Sequence, residues 1–416
     1  VGVIGLGYVG LPLALAMHEA GFDVIGVDVD AATVDALGDG HSTVEDVPDA
    51  RLVEALEQGF RVMAAYDALV AADAVSICVP TPLRKSGQPD LSFVVAAADA
   101  LAGVVTAQTT VILESTVYPG ATEEVVGARL SAEGWTVGED LHVAFSPERI
   151  DPGNTQYGPT EIPKIVGGVT PVCGDRAVAV YEQVFETIVQ VGSAAEAELV
   201  KLLENTFRAV NIGLVNELAQ VAHALEVDIW SVIDAAATKP FGFMPFRPGP
   251  GLGGHCIPID PVFLAWKANE QGIETRFIDL ADVVNREMPA YVVARVAQVL
   301  NADGIALADA AVSIIGVAYK PDVSDVREAA AIDIIQELER WQASICYHDP
   351  HVPTLAVGER TYASVPLAAA LDGVDCAVIV TDHTAIDVTE VVEAAPRVFD
   401  TRNATAGLEA AHITRL

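Results

Sequence analysis

The chain has 416 residues, 51% hydrophobic and only 6% aromatic, so it is long enough for two or three domains with cores of Ala, Val, Leu and Ile. Its 58 acidic residues against 23 basic give a formal net charge of −35, which excludes a nucleic-acid partner, because phosphate binding needs a basic surface. No uncharged apolar run reaches the roughly 18 residues of a membrane span, and with no secretory leader in view a cytoplasmic protein is expected.

The acids are dispersed along the chain rather than gathered in a tail, which points to a salt-screened, halophilic surface. The cysteines (78, 173, 256, 346 and 376) are scattered, odd in number and without a CxxC pair, so neither a disulfide framework nor a metal site is expected.

The N-terminal third alternates strand and helix signals. Residues 1–4 form an apolar run, followed by Gly5-Leu6-Gly7-Tyr8-Val9-Gly10 and an apolar helix to about residue 20. Residues 23–28 read as a second strand ending in an acid, Asp28. Further strands are expected at 74–79, 110–114 and 142–145. This rhythm predicts a doubly wound parallel sheet. Gly5 permits a tight turn, Gly7 lets the backbone approach a pyrophosphate, and Gly10 allows close helix packing. Asp28 is placed to accept hydrogen bonds from an adenosine ribose, which favours NAD over NADP.

The middle third is helical. Leu199, Leu203, Phe207, Val210, Leu214, Leu218, Val221 and Leu225 recur at spacings of 3 and 4, a sustained helical stripe. A single helix over 194–226 would run about 50 Å at about 1.5 Å per residue, and could supply a dimer surface. Lys201 and Asn205, at i and i+4, share a face roughly opposite Leu199 and Leu203. Spacing alone leaves open whether that face is a site or is solvated.

The next segment, Gly249-Pro250-Gly251-Leu252-Gly253-Gly254-His255-Cys256-Ile257-Pro258-Ile259-Asp260-Pro261, sets a cysteine at the end of a glycine-rich loop, beside a histidine and four residues before an aspartate. A thiol can add to an aldehyde and a neighbouring carboxylate can manage protons. Alongside a dinucleotide fingerprint, this combination implies oxidation of an alcohol past the aldehyde to the acid. The other cysteines read differently: Cys78, Cys346 and Cys376 fall in apolar strand patterns and are expected to be buried, and Cys173 precedes a helix in a surface-like segment.

The last third restarts an α/β pattern. Strands are expected at 311–317, 344–347, 374–381 and 397–400, with a helix from about Glu328. This second sheet has no GxGxxG, so a second dinucleotide is not required. Lys320, Arg327 and Arg402 lie at or just after strand ends, where ligands of open α/β sheets bind, and in so acidic a chain they point to phosphate contacts.

Taken together, these motifs make the chain resemble the nucleotide-sugar 6-dehydrogenases (the UDP-glucose/UDP-mannuronate dehydrogenase family) over nearly its whole length. The motifs are Gly5–Gly10, Pro80-Thr81-Pro82, Glu114-Ser115-Thr116-Val117, Ser146-Pro147-Glu148-Arg149, Lys201 with Asn205, Gly253-Gly254-His255-Cys256 with Asp260, and Ala318-Tyr319-Lys320-Pro321 followed by Asp325-Val326-Arg327-Glu328. The match is closest to the UDP-N-acetylglucosamine/UDP-N-acetylmannosamine branch, on Ser146-Pro147-Glu148-Arg149-Ile150-Asp151-Pro152-Gly153, on Phe241-Gly242-Phe243 and on His255.

The resemblance implies two Rossmann-like domains joined by a long helix and a helical middle domain: an NAD-binding domain over 1–193, a central domain over 194–303, through which a homodimer is expected, and a UDP-sugar-binding domain over 304–416. It implies Cys256 as nucleophile, Lys201 and Asn205 as oxyanion donors, Asp260 as base with a water, Glu148 in thioester hydrolysis, and Thr116 holding a water. NAD would meet Gly5, Gly7, Tyr8, Val9, Gly10, Asp28, Pro80, Thr81, Ser115, Thr116 and Arg327. The UDP-sugar would meet Glu148, Arg149, Lys201, Asn205, Gly253, Lys320 and Arg402. Arg247, or Lys239 in its place, would touch the sugar or its phosphate, and His255 would act on the sugar or support the loop. No metal is expected. Two other readings stand beside this one: a single-step hydroxyacid dehydrogenase, which needs no Cys256, and a non-catalytic nucleotide-sugar sensor, which has no chemical reason to keep Lys201, Asn205, Cys256 and Asp260 together.

The charge makes a prediction of its own. Between about 0.1 M and 1 M salt the Debye length falls from about 10 Å to about 3 Å, so Tm should rise over that range as repulsion between the acids fades. A Tm that does not change would show that the acid excess is not an adaptation to salt.

Overall fold

The computed structural model describes residues 1–149, 158, 160–254 and 256–416; residues 150–153 of the Ser-Pro-Glu-Arg segment and His255 lie outside them. The chain falls into two compact units. One comprises Val1–Glu204 with Val262–Ile273, the other Asn205–Pro261 with Glu274–Leu416. The division falls inside two helices, Ala194–Ala224 and Asp260–Glu270.

The first unit is built on an eight-stranded sheet. Its strands are β1 (Gly2–Ile4), β2 (Ile25–Val27), β3 (Arg61–Met63), β4 (Ala74–Ile77), β5 (Thr110–Leu113), β6 (His142–Phe145), β7 (Lys164–Gly168) and β8 (Ile188–Gln190). They lie in the order β3-β2-β1-β4-β5-β6-β7-β8. All neighbours are parallel except β6 and β7. β1, β4, β5 and β6 are buried along their whole length, which is why they read as unbroken apolar runs. The order reverses beside β1, and such a switch point opens a crevice at the carboxyl ends of β1 and β4. The helix Gly10–Glu19 buries eight of its ten residues. Small side chains such as Ala14 and Ala16 let it lie close to the sheet.

The second unit carries a five-stranded, fully parallel sheet. Its strands are β9 (Ala311–Ile315), β10 (Ser344–His348), β13 (Cys376–Ile379), β14 (Val398–Asp400) and β15 (Ile413–Arg415), in the order β10-β9-β13-β14-β15. A two-stranded antiparallel hairpin, β11 (Thr354–Val357) and β12 (Arg360–Ala363), lies outside this sheet. Its switch point falls between β9 and β13. Val312 and Ile314 share a core with Met288, Val292 and Val296 of the helix Arg276–Ala302 and with Trp230.

Two cysteine expectations are corrected. Cys173 does not precede a helix on the surface: it sits in the first turn of the helix Pro171–Tyr181 and is fully buried. Thr170 caps that helix and ties Cys173 down, since its hydroxyl oxygen accepts the Cys173 N–H at 3.3 Å. Cys346, on β10 at the edge of its sheet, is only partly buried.

One buried carboxylate organises the carboxyl edge of the second sheet. Asp349, just after β10, accepts the Val317 N–H at 2.6 Å, the Ala318 N–H at 3.2 Å and His383 Nε2 at 2.9 Å. Burial opposes the charge, but these donors prevail and hold its carboxyl down at about 2. A folded-state value below the ordinary 3.8 means that this stabilisation is present above about pH 4 and is lost as the pH falls through about 2. Asp349→Asn should therefore cost about 2 kcal/mol at neutral pH. Urea-unfolding free energies of wild type and variant should converge as the pH falls from about 4 towards 2; a gap that stays constant would refute this.

Candidate functional site

The glycine turn after β1 forms a cradle. Gly5 has φ +85°, and a Cβ there would lie 2.6 Å from the Cys78 carbonyl oxygen. A Cβ on Gly10 would collide with the Gly5 carbonyl oxygen, whereas one on Gly7 would project into open space. Gly7 therefore keeps clear the approach to the N-terminus of the helix Gly10–Glu19, the place where a pyrophosphate binds. Tyr8 is 39% exposed at the rim, and Val9 occupies the N-cap of that helix. Asp28 does more than its sequence position implies: Oδ2 accepts the Leu6 N–H at 2.8 Å and Oδ1 accepts the Asp30 N–H at 3.0 Å. It braces the turn from the end of β2. Ser115 donates its hydroxyl to the Val79 carbonyl at 2.7 Å, tying the end of β5 to the segment after β4. Thr81 is buried, Thr116 half-buried and Pro80 exposed. These residues suit an adenine dinucleotide.

The same unit holds Glu148, Arg149 and Lys201. Arg149 pairs with Glu204 at 2.6 Å and donates to the Pro163 carbonyl at 2.8 Å. Glu148 lies 3.5 Å from the buried ammonium of Lys164. Lys201 is 8% exposed and Asn205, one turn on, 2%, so their shared helix face is not solvated. Glu198, on the same helix, accepts the Gly120 N–H at 2.5 Å and the Thr122 N–H and hydroxyl at 2.8 and 2.6 Å. Burial nevertheless pushes its carboxyl up to about 7.

The second unit brings Asn205, Cys256 and Asp260 together. Asn205 Nδ2 donates to Asp260 Oδ2 in a short hydrogen bond, and Arg208 donates to Asn205 Oδ1 in another. Asp260 opens the helix Asp260–Glu270, and its N–H donates to the Cys256 carbonyl at 2.9 Å. The cysteine thus sits one turn before the carboxylate, partly exposed. The glycines before it are required by contact. A Cβ on Gly253 would lie 2.8 Å from Tyr319 Cβ; Gly254 has φ +84° and packs against the Tyr319 ring. Gly254 also donates its N–H to the Arg327 carbonyl at 3.0 Å.

The basic candidates are spread over this unit. Arg402 lies half-buried against the loop before Cys256: a Cβ on Gly249 would lie 2.7 Å from its Nη1, and its Nε donates to the Val380 carbonyl at 2.8 Å. Burial lowers its pKa, opposed by Asp382 and Asp400. Lys320 follows β9 near the switch point, with its ammonium 5.6 Å from the Tyr319 ring centroid. Arg327 pairs with Asp325 at 2.7 Å. Arg247 pairs with Asp234 at 2.5 Å, and Lys239 lies over the Phe241 ring at 5.0 Å.

Sequence reasoning missed several contributors. A buried amide relay supports the cysteine loop: Asn216 accepts the Gly249 N–H at 2.9 Å and donates to Asn285, which donates to the Ala209 carbonyl. Asp322, His351 and His383 gather ligand-type atoms within 4.8 Å of one another. His383 accepts the Asp322 N–H at Nδ1 and donates from Nε2 to Asp349, so hydrogen bonds occupy both of its ring nitrogens. Glu114 was legible only as the first residue of the Glu114-Ser115-Thr116-Val117 motif, and Lys164 was not singled out at all.

Comparison with known proteins agrees with this geometry. Residues 1–185 match the NAD binding domain of the UDP-glucose/GDP-mannose dehydrogenase family, residues 195–287 its central domain, and residues 313–407 its UDP binding domain. The chain belongs to this family of NAD-binding oxidoreductases. It is 34% identical to a UDP-N-acetyl-D-mannosamine dehydrogenase of Methanococcus maripaludis, over 96% of this chain and 92% of that protein. It is 35% identical to a UDP-N-acetyl-D-glucosamine 6-dehydrogenase of Pseudomonas aeruginosa, over 91% and 90%. The solved structure of a UDP-D-ManNAc dehydrogenase from Pyrococcus horikoshii superposes with a TM-score of 0.91 at 30% identity, covering 100% of this chain and 99% of that one. Among the described residues no helix is long and apolar enough to cross a membrane.

Asp28 sets a test of cofactor choice. Asp28→Asn keeps an oxygen for the Leu6 N–H but removes the charge that repels a 2′-phosphate. The NADP-to-NAD ratio of kcat/KM should rise about tenfold or more. A ratio that does not move would place the discrimination elsewhere.

Proposed function

We propose that this chain oxidises the C6 hydroxyl of a UDP-N-acetylhexosamine to the carboxylate through a thioester on Cys256. The observation that carries the reading is the Asn205–Asp260 pair locked beside a cysteine whose loop tolerates only glycine at two successive positions. A single-step alcohol dehydrogenase has no use for that thiol. The N-acetylhexosamine branch is supported by the names of the relatives above and by the Phe241-Gly242-Phe243 segment.

NAD supplies the hydride acceptor for two successive two-electron oxidations. The residues of the chain do the rest. Asp260, through a water, takes the hydroxyl proton in the first oxidation. The Cys256 sulfur then adds to the aldehyde carbon, forming a C–S bond. Lys201 and Asn205 donate hydrogen bonds to the oxyanion, where preorganised donors act most strongly. Loss of a hydride from that oxyanionic adduct turns it into the thioester. Glu148 takes a proton from water held by Thr116. The hydroxide adds to the carbonyl carbon, the C–S bond breaks, and the thiolate is restored. Arg149, Lys320, Arg402 and either Arg247 or Lys239 are the groups assigned to the UDP-sugar, and Arg327 to NAD.

The long helix supports a dimer. Leu199, Leu203, Phe207, Leu214, Leu218, Val221 and Leu225 are each 42–67% exposed, an apolar stripe that a second copy would cover.

One experiment tests both chemistry and substrate: NADH is counted per uronate with UDP-N-acetylglucosamine, UDP-N-acetylmannosamine and UDP-glucose. We expect two NADH per uronate and an advantage of about 10- to 100-fold for an acetamido sugar, because a polar group meant for the acetamide is left unpaired by a hydroxyl. Cys256→Ala should bind NAD and sugar yet form no uronate. Preference for UDP-glucose would overturn the substrate, and uronate from Cys256→Ala the thioester.

A further inference from the structure

Behind the carboxyl ends of β4, β5 and β6 lies a buried group of charges that the proposed chemistry leaves unused. Lys164 opens β7 with its side chain 4% exposed, and Glu114, just after β5, is 0% exposed. The Lys164 ammonium lies 2.6 Å from Glu114 Oε2, 3.5 Å from Glu148 Oε2 and 3.4 Å from the Pro147 carbonyl oxygen. The Tyr181 hydroxyl donates to the other oxygen of Glu114, and Ser76 Oγ lies 3.2 Å from that hydroxyl. The Tyr181 and Phe185 rings flank the ammonium at 5.3 and 5.2 Å.

Two carboxylates thus share one ammonium in a dry site. Burying a charge is costly unless it is paired, so an acid–base pair 50 residues apart in sequence calls for a reason. The arrangement supplies one. Glu114 and Tyr181 fix the ammonium from behind, and its remaining reach is towards Glu148. Glu148 Oε1 accepts the Arg149 N–H at 2.6 Å, so each of its oxygens has a partner. The titratable and charged groups facing this carboxylate include Lys164, Glu114 and Cys78 from the neighbouring strands, with Arg149 beside it turned onto Glu204. Burial pushes the Cys78 thiol well up, so it adds no negative charge near neutral pH. Burial and Glu148 also raise the Glu114 pKa, whereas Glu114 and Glu148 raise that of Lys164 against its burial.

We infer that Lys164 is a positioning residue for Glu148: pinned by Glu114 and Tyr181, it holds the Glu148 carboxylate aimed as the base for thioester hydrolysis. This rests on the role proposed above for Glu148. Without the ammonium the carboxylate loses the partner that aims it, and water attack slows while the hydride steps continue. The acyl group then stays on Cys256.

The test is the double variant Lys164→Met/Glu114→Gln, which removes both partners so that neither is left as a lone buried charge. It is given NAD and whichever of the three UDP-sugars the wild type oxidises. We expect a first-turnover burst of NADH at the wild-type rate. Steady turnover at pH 7 should then fall about tenfold or more, because a misaimed base slows only the hydrolytic step. Intact mass should show the acyl adduct on the chain. Wild-type turnover, or equal loss of burst and turnover, would overturn the inference. Glu148→Gln separates the two ideas. If it accumulates adduct while the double variant behaves as wild type, the Lys164 role alone falls. If Glu148→Gln hydrolyses normally, the base assignment and this inference fall together.

Discussion

The structure depends on one device, used once in each sheet: a carboxylate at the end of the second strand holds the backbone N–H groups of the turn that follows the first. In the first sheet Asp28 takes the Leu6 N–H; in the second Asp349 takes those of Val317 and Ala318. The glycines match as well. Gly5 and Gly316 have φ +85° and +77°, donate their N–H to Val27 and His348 at 2.8 Å, and lie against the carbonyls of Cys78 and Thr381. Both turns occur where the strand order reverses, so the chain closes its two ligand-facing edges by the same physics. The absence of a GxGxxG in the second sheet had concealed this likeness.

The two carboxylates are tuned differently. Asp28 spends its oxygens on Leu6 and Asp30 in a setting open to solvent, where further donors can approach. Asp349 is capped from above by His383, whose other nitrogen is fixed by the Asp322 N–H. Asp322 in turn has φ +60°, a left-handed conformation that is costly for a residue with a Cβ, and its Oδ1 accepts the Thr384 N–H and hydroxyl. The second turn is therefore closed by hydrogen bonds where the first stays open. That contrast fits a dinucleotide ribose at one edge and a different nucleotide contact at the other.

The two sheets, parallel but for the β6–β7 pair, the fingerprint and the cysteine loop were legible in sequence because buried parallel strands and glycine turns leave local patterns. Strands 61–63 and 188–190 were not, because β3 and β8 are edge strands with exposed residues and no apolar run. Strand 164–168 opens with a lysine and ends in two glycines, a composition that reads as a loop. The Lys164–Glu114 pair and the Asn216–Asn285 relay were out of reach for another reason. Their partners lie 50 and 69 residues apart, and nothing in either local segment names the other. Cys173 was misread because a Pro-containing stretch rich in small residues resembles a loop, although Pro at the start of a helix is favourable.

Asn205 illustrates how fold restricts chemistry. Its amide has two donors and one acceptor oxygen. Arg208 supplies a donor to that oxygen, which fixes the orientation of the amide, and Asp260 takes one of the two N–H groups. In the proposed reaction a single N–H of Asn205 is therefore left for an oxyanion. A hole built on it needs a second donor, and Lys201, one helical turn away and buried on the same face, is the residue whose chemistry supplies it. Reversing the amide would set its oxygen against the Asp260 carboxylate and its NH2 against the Arg208 guanidinium, so the two neighbours permit one orientation only. In the proposed reaction Arg208 would contribute without touching a substrate, by deciding which end of the Asn205 amide faces Asp260.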